Sequence, residues 1–255
     1  MKKICVALSL FAAAFSAFAA PIQERMVKKE FKGASGEIFR YRWAEKLPNS
    51  GEKVPLVIFL HGAGERGTDN TAQLRHGVTE LLDYLEKNEK GYRILAGQVP
   101  HGKRWVEVDW AAKGHKMPKE PSLTMGLLLE LLEKLLSDSR TDTARVYVTG
   151  ISMGGYGTWD IISRRPEVFA AAMPICGGGD TAQASKMGKV SIWAFHGSSD
   201  GAVRVSRSRD MMSALWATGA NVHYREYPDA GHNVWTTTYR DNAVLKWFFS
   251  RRRKN

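Results

Sequence analysis

Cysteine is almost absent from this chain of 255 residues. The sequence contains two, Cys5 and Cys176, and Cys5 falls within an apolar segment at the N-terminus. If that segment is removed on export, Cys176 has no intramolecular partner. A disulfide-stabilised fold is then excluded, and the protein depends on a hydrophobic core. The sequence around Cys176 is apolar, so we expect a buried packing side chain rather than a reactive thiol.

A long hydrophobic run is also missing. The longest apolar stretch, residues 4–18, is shorter than the ~20 residues that a membrane-spanning helix requires. Lys2 and Lys3 precede it, and small residues follow at positions 17 and 19. This order is typical of a secretory signal peptide. We expect cleavage after residue 19, a single catalytic domain over residues 20–255, and a periplasmic or extracellular location.

Acidic residues are outnumbered by basic ones. There are 37 lysines and arginines against 26 aspartates and glutamates, and four of the basic residues form the segment 251–254. No nucleic-acid-binding motif accompanies this excess, so it does not indicate a nucleic-acid partner. A basic terminal segment is most often solvated. The alternative for it is attraction to an acidic polysaccharide or to the cell envelope.

Apolar runs rich in β-branched and aromatic residues alternate with helical patterns. Most of these runs are continuous, which indicates strands buried on both faces of a parallel sheet. The predicted strands cover residues 37–43, 55–60, 93–99, 145–149, 170–175, 191–195 and 222–227. The predicted helices cover residues 71–86, 122–137, 153–164, 206–218 and 242–251. The alternation predicts an α/β fold with a doubly wound, mostly parallel sheet and helices on both faces.

The longest stretch without a helix or strand pattern covers residues 100–121 and follows the predicted strand 93–99. Loops of this length are usually functional, and a loop after a parallel strand overhangs the sheet edge where ligands bind. Indole rings can stack on a sugar or an aromatic acid. We therefore predict that Trp105, Trp110 and the later Trp235 contact the substrate, with core packing as the alternative for each.

A G-x-S-x-G motif occupies residues 150–154, between the predicted strand 145–149 and the predicted helix 153–164. This context is typical of a nucleophile elbow, a turn so tight that side chains flanking the serine would collide with the neighbouring strand and helix. The turn exposes Ser152 at the sheet edge. The N-terminus of the following helix favours a negative charge that develops beside it.

A serine hydroxyl needs a histidine to accept its proton and a carboxylate to orient that histidine. In hydrolases with this elbow the chain order is serine, acid, histidine. His196 ends a predicted strand and His223 lies at the start of one, whereas His232 lies in the loop before the last predicted helix. We predict His232 as the base.

Asp200 and Asp180 compete for the role of the carboxylate. Asp200 lies in the loop directly after the predicted strand 191–195, whereas Asp180 follows the strand before it. We favour Asp200 because its loop is one strand closer to the loop of His232. Asp229 is too near His232 in the sequence to brace it and is interpreted as a turn residue.

Two backbone N–H groups are needed to stabilise the tetrahedral oxyanion. One is predicted to be that of Met153, the residue after the nucleophile. The second is predicted to come from Ala63, with Gly62 as the alternative, because this turn of small residues lets the backbone approach the substrate. His61 in the same turn is interpreted as a structural residue.

These motifs resemble those of secreted bacterial α/β-hydrolases, in particular predicted peptidases and esterases close to the feruloyl-esterase and polyhydroxyalkanoate-depolymerase groups. The resemblance is carried by residues 59–70, which include HGAGERGTDN, and by residues 149–159, 174–180, 193–200 and 227–235. It implies ester hydrolysis with Ser152, Asp200 and His232 as the triad. The related pattern Asp-x-x-Val-Pro-Val has arginine instead of proline here, at Arg204.

The leading hypothesis is an exported serine carboxylesterase that hydrolyses small acyl or aromatic esters of the acetyl or feruloyl type, including those on plant polysaccharides. No cofactor and no metal are expected. The alternative is a serine peptidase of the prolyl-oligopeptidase-like type, but no gating domain is evident in the sequence. A binding protein that has lost catalysis is disfavoured because all three triad residue types occur in order.

Overall fold

The computed structural model describes residues 20–253, so the predicted signal peptide lies outside the described residues. The strands are β1 (Val27–Lys32), β2 (Ile38–Lys46), β3 (Val54–Leu60), β4 (Tyr92–Gln98), β5 (Thr141–Ile151), β6 (Ala171–Ile175), β7 (Ser191–Gly197) and β8 (His223–Tyr227). The helices are α1 (Ile22–Arg25), α2 (Val78–Asn88), α3 (Leu123–Ser137), α4 (Met153–Arg164), α5 (Ser206–Ala217), α6 (Trp235–Arg240) and α7 (Asn242–Phe249). No helix within residues 20–253 has both the length and the apolarity to cross a bilayer.

The eight strands form one sheet in the order β1-β2-β4-β3-β5-β6-β7-β8. The pairs β1–β2 and β2–β4 are antiparallel, and all the other pairs are parallel. This arrangement confirms the predicted α/β class. The carboxyl ends of β3, β5, β6, β7 and β8 therefore lie at one edge of the sheet, where the loops that follow them come together.

Strand β3 shows why the apolar runs are continuous. Leu56, Ile58 and Leu60 enter a core under α3, α4 and α5, whereas Val57 and Phe59 enter a second core under α2, α6 and α7. Every residue of β3 is buried. A strand covered by helices on both faces has no solvent-facing side, so the polar residues that would interrupt the run are absent.

The edge of the sheet differs from the prediction, which had no strand at β1. The sequence of β1 is VKKEFK, and only Phe31 is buried. Edge strands of this kind carry charges that discourage pairing with other chains, and their apolar signal is weak. The six-residue helix α6 was also missed.

Helix α2 begins later than the predicted start at residue 71. A short 3-10 turn, Ala72–Leu74, comes first, and Gly77 then adopts φ +76°. A Cβ atom on Gly77 would lie 2.5 Å from the Tyr239 ring, so only glycine fits against α6 here. The chain thus changes direction at Gly77 before the helix starts at Val78.

Candidate active site

Ser152 lies in a strained turn between β5 and α4, with φ 54° and ψ −116°. A Cβ on Gly150 would lie 2.4 Å from the carbonyl oxygen of Gly154, and a Cβ on Gly154 would lie 1.9 Å from that of Leu60. No side chain fits at either position. The two glycines of the motif therefore permit the close packing of β3, β5 and α4 that holds the serine at the sheet edge.

Hydrogen bonds join Ser152, His232 and Asp200. His232 Nε2 lies 2.9 Å from Ser152 Oγ, and His232 Nδ1 lies 2.7 Å from Asp200 Oδ2. A carboxylate only accepts, so Nδ1 carries the proton and Nε2 presents its lone pair to the serine hydroxyl. The structure thus brings the three predicted residues together in the order that transfer of a proton from serine requires.

Asp200 is fixed by more donors than His232 alone. Its Oδ1 accepts hydrogen bonds from the N–H groups of Ala202 (2.8 Å) and Val203 (2.9 Å), and His196 Nε2 lies 3.1 Å from Oδ2. Burial favours a higher pKa for the Asp200 carboxyl, but the bonds from His196, His232 and the two amides outweigh it and hold that pKa well below its usual range. Asp200 therefore stays ionised.

His196 was not predicted as a site residue. Its ring has no exposed surface, and its Nε2 is also 3.0 Å from the carbonyl oxygen of Val203. Two acceptors at this nitrogen require an N–H there. His196 thus donates to the carboxylate that orients His232. The sequence signal that was available is its position four residues before Asp200.

Cys176, His196 and Asp200 place ligand-type atoms within 4.8 Å of one another. A metal ion would need the lone pair of His196 Nε2, but this nitrogen carries a proton. Burial raises the pKa of the Cys176 thiol, so the thiolate that a metal requires is disfavoured. The Cys176 thiol instead lies 3.3 Å from the carbonyl oxygen of His232. This cluster is built for hydrogen bonding around Asp200.

Asp180, the rival acid, lies elsewhere. Its carboxylate accepts from the N–H of Ala182 (3.0 Å), at the start of the 3-10 turn Thr181–Met187, and from the N–H of Met117 (3.0 Å). It therefore caps a turn and fastens the long loop 100–121. The structure shows no hydrogen bond between Asp180 and His232 within residues 20–253.

The two N–H groups predicted for the oxyanion hole are free of protein acceptors. Neither Met153 nor Ala63 donates its backbone N–H to any group within residues 20–253. Met153 opens α4, where the first amides of a helix lack a partner. Gly62 and Ala63 both line the cleft beside Ser152. Ala63 stays our prediction for the second donor, with Gly62 as the alternative.

His61 is locked into the core. Its Nε2 accepts the N–H of Val99 (2.9 Å), and its Nδ1 lies 2.6 Å from the carbonyl oxygen of Gly62. These partners fix the neutral tautomer with the proton on Nδ1. Burial lowers the pKa of His61 to about 4 despite the bond to Gly62. The ring therefore joins β4 to the turn after β3 rather than acting as a base.

This burial makes the stability of the protein dependent on pH. Between pH 6.5 and 4 the unfolded chain binds a proton on His61 that the folded chain excludes, so the free energy of unfolding falls as the pH falls. We expect His61 alone to account for a loss of about 3 kcal/mol between pH 7 and pH 4. Urea unfolding at both pH values measures the loss. His61→Gln should be less stable than the wild type at pH 7, but its free energy of unfolding should fall less between pH 7 and pH 4. An equal fall in both proteins would show that His61 is not the group responsible.

A cleft of about 350 Å³ opens in front of Ser152 and His232. Trp235 contacts the histidine edge to face, with ring centroids 5.1 Å apart. Trp110 lines the same cleft, and the Arg104 guanidinium lies 4.4 Å from its ring centroid. These two tryptophans thus lie where the sequence analysis expected substrate contacts.

Trp105 requires a correction. Its ring has no exposed surface, its Nε1 donates to the carbonyl oxygen of His61 (3.1 Å), and it packs against the His61 ring. A substrate in the cleft cannot contact it. The long loop turns this indole into the core, where it supports the turn after β3. Trp105 is therefore a packing residue, the alternative considered for it.

Two unpredicted residues also line the cleft, Glu65 and His76. Glu65 lies in the 3-10 turn Ala63–Glu65, and His76 lies just before α2. His76 contacts Trp235, with ring centroids 5.8 Å apart. Glu65 lies within residues 59–70, which carry the family resemblance, and His76 follows that segment; nothing in their spacing indicates that they face the nucleophile.

Comparison with known sequences gives one family and several relatives. The model of the dienelactone hydrolase family matches residues 87–244. A bifunctional acetylxylan esterase/xylanase of Neocallimastix patriciarum is 27% identical over 217 residues, which are 81% of this chain and 29% of that protein. Poly(3-hydroxyalkanoate) depolymerase C of Paucimonas lemoignei is 31% identical over 129 residues, 49% of this chain and 28% of that protein. The chain thus spans less than a third of these curated relatives.

Solved structures show the same architecture. A thermostable esterase superimposes with a TM-score of 0.80 at 34% identity, over 90% of this chain and 64% of the esterase. A ferulic acid esterase has a TM-score of 0.62 at 17% identity, over 88% and 98% of the two chains. Dipeptidyl peptidase 4 of Porphyromonas gingivalis has a TM-score of 0.65 at 14% identity, over 89% and 35%. The last two likenesses concern the fold alone.

Proposed function

The chain belongs to the dienelactone hydrolase family, and we propose that it is a serine carboxylesterase with Ser152, His232 and Asp200 as its catalytic triad. The observation that carries this proposal is the line of hydrogen bonds from Ser152 through His232 to Asp200, open to a cleft at the serine end. The match to the family model and the similarity to a thermostable esterase support it.

The proposed mechanism is acyl transfer through a covalent acyl-enzyme. Ser152 Oγ attacks the ester carbonyl carbon while its proton passes to His232 Nε2, 2.9 Å away. Asp200 stabilises the resulting imidazolium, and the N–H groups of Met153 and Ala63 bind the oxyanion. His232 then returns the proton to the leaving alcohol. Water, activated by the same histidine, hydrolyses the acyl-enzyme to release the acid.

The finer part of the proposal concerns the substrate and the location. We propose small acyl or aromatic esters, of the acetyl or feruloyl type, carried by plant polysaccharides outside the cell. The acetylxylan esterase/xylanase and an uncharacterised secreted protein of Arthroderma benhamiae, 24% identical over 232 residues, support this reading. Trp110 and Trp235 offer apolar surface beside the nucleophile for a sugar ring or an aromatic acyl group.

A fluorophosphonate probe tests the triad separately from any substrate. We expect the folded protein to be labelled at Ser152 and the heat-unfolded protein to stay unlabelled. Ser199→Ala is a matched control, since Ser199 is exposed in the loop of Asp200, and it should label normally. Labelling of Ser152→Ala, or none of the folded wild type, would contradict the proposed nucleophile.

A substrate panel tests the chemistry. It contains p-nitrophenyl acetate, longer p-nitrophenyl esters, methyl ferulate, acetylated xylan and a dipeptidyl p-nitroanilide. We expect hydrolysis of the esters and no comparable release from the anilide, because an amide nitrogen leaves less readily than an alkoxide. Preferential cleavage of the anilide would instead support the serine peptidase alternative.

Trp110→Ala tests whether the Trp110 ring contacts the substrate. We expect kcat/KM for methyl ferulate or acetylated xylan to fall by an amount equivalent to roughly 1 to 3 kcal/mol, because the ring offers contact area to a large substrate. A small acetate ester should be spared. Trp216→Ala, at a half-exposed tryptophan of α5, is the control. Equal losses on large and small esters with a lower Tm would show that Trp110 only packs.

A further inference from the structure

Glu65 is a buried carboxylate beside the nucleophile. Its side chain is 7% exposed and lines the cleft in front of Ser152. A Cβ placed on Gly62 would lie 3.0 Å from Glu65 Oε2 and 3.6 Å from Ser152 Cβ. The carboxylate and the serine thus flank the same point of the turn after β3. The mechanism described above does not use this carboxylate.

The protein leaves this carboxylate without hydrogen bonds. Its nearest nitrogen neighbours, Arg75 Nη1 and His76 Nε2, each lie 3.7 Å from Oε1, beyond hydrogen-bonding distance. Within residues 20–253, no backbone or side-chain donor bonds to either carboxylate oxygen. Buried carboxylates are normally satisfied by donors, because desolvation without them is costly. The carboxylate therefore takes its hydrogen bonds from the cleft, either from solvent or from a ligand.

The charge around Glu65 indicates what kind of donor fits. Arg75 already lies near Oε1, so an ammonium group would enter next to its fixed positive charge. A neutral hydroxyl meets no such repulsion and still forms a charge-assisted hydrogen bond with the carboxylate. Trp110 and Trp235 line the same cleft and offer apolar faces for the ring that carries the hydroxyl.

We propose that Glu65 is a specificity-determining residue that accepts a hydrogen bond from a free hydroxyl of a sugar or other polyol ester. The proposal rests on the esterase function proposed above and deepens it. In a partly acylated sugar, the hydroxyl on the carbon next to the ester lies close to the reacting carbonyl. That position suits Glu65, because its carboxylate and Ser152 lie on either side of Gly62.

A pair of substrates that differ only in this hydroxyl tests the proposal. The pair is a monoacetylated methyl xylopyranoside and its counterpart with the remaining hydroxyls O-methylated. We expect the wild type to favour the free-hydroxyl ester in kcat/KM by about tenfold or more. Glu65→Gln, which keeps the shape but not the charge, and Glu65→Leu should remove most of this preference. The readout is the ratio of kcat/KM for the two sugar esters, which a general loss of activity, measured on p-nitrophenyl acetate, leaves unchanged.

The control is Glu120→Gln, at an exposed glutamate of the long loop that does not line the cleft. It should leave the preference unchanged. If both Glu65 variants lose activity equally on all esters and also lose thermal stability, Glu65 only braces Arg75 and His76, and the inference is wrong. The inference is equally wrong if the wild type hydrolyses both sugar esters at the same rate.

A binding measurement separates this inference from the esterase proposal. Calorimetric titration of Ser152→Ala with methyl β-xylopyranoside and with its O-methylated form needs no turnover. We expect only the free-hydroxyl sugar to bind measurably, and adding Glu65→Gln should raise its Kd by about tenfold. Absent binding of either sugar, or an unchanged Kd, would overturn the role of Glu65. Absent ester hydrolysis together with Glu65-dependent binding would overturn the esterase proposal alone.

Discussion

Replacing Ser152 with alanine is expected to lower kcat/KM for p-nitrophenyl acetate by at least about 10³-fold, while the protein still folds. Ser152 Oγ is the only protein atom that bonds to the carbonyl carbon of the substrate in the proposed mechanism. Removing the serine of a catalytic triad lowers kcat nearly as much as removing all three residues. Steady-state kinetics measure the loss. The residual rate is expected from the oxyanion donors and the cleft, which the substitution leaves in place.

Folding of Ser152→Ala is checked by its melting temperature. This temperature should be equal to or above that of the wild type. The backbone at position 152 keeps its strained φ of 54° with either serine or alanine, and the serine hydroxyl contributes only its hydrogen bond to His232. Ser199→Ala should keep full activity. Near-normal turnover by the Ser152 variant would refute the elbow as the site of the nucleophile.

Asp200→Asn is expected to cost about 10²- to 10⁴-fold in kcat, far more than Asp180→Asn. An asparagine amide can donate to His232 Nδ1 and so stabilise the tautomer whose Nε2 carries the proton and cannot accept from Ser152. The substitution also removes the charge that stabilises the imidazolium. The two variants are well matched, because both aspartates accept hydrogen bonds from backbone N–H groups in loops at the same sheet edge.

Asp180→Asn should instead loosen the long loop that Met117 fastens to it, with a change in thermal stability and a small change in kcat. Both variants are measured on p-nitrophenyl acetate at pH 7 and above. A larger loss of kcat in Asp180→Asn than in Asp200→Asn would mean that Asp180, after the preceding strand, is the catalytic acid. Equal damage would mean that neither carboxylate orients the histidine directly.

The fold and the core of the candidate site were accessible from the sequence for physical reasons. Parallel strands buried on both faces leave continuous apolar runs, as in β3, and a tight elbow demands the glycines that surround Ser152. Chain order and loop position then selected His232, and proximity to its loop selected Asp200; the structure joins the two by a 2.7 Å hydrogen bond. Their catalytic roles stay predictions that the substitutions above test.

The misses have equally physical causes. A charged edge strand such as β1 buries one side chain of six and gives no apolar run. Loop position alone does not say which indole turns inward, so Trp105 and Trp110 looked alike in the sequence. For His196 the sequence offered only the spacing of four residues to Asp200. Glu65 faces the cleft because the fold places its turn beside Ser152, and such a neighbour leaves no local pattern.

The strand order has a consequence for synthesis. Ser152 follows β5 in the middle of the sheet, whereas the loop of His232 is positioned only when β8, the last strand within residues 20–253, pairs with β7. A translation fragment that ends between α4 and β8 carries the whole elbow sequence but lacks His232, the proposed base. The proposed activity therefore requires the pairing of β8 with β7 as well as the central sheet, and its recovery during refolding reports that both have formed.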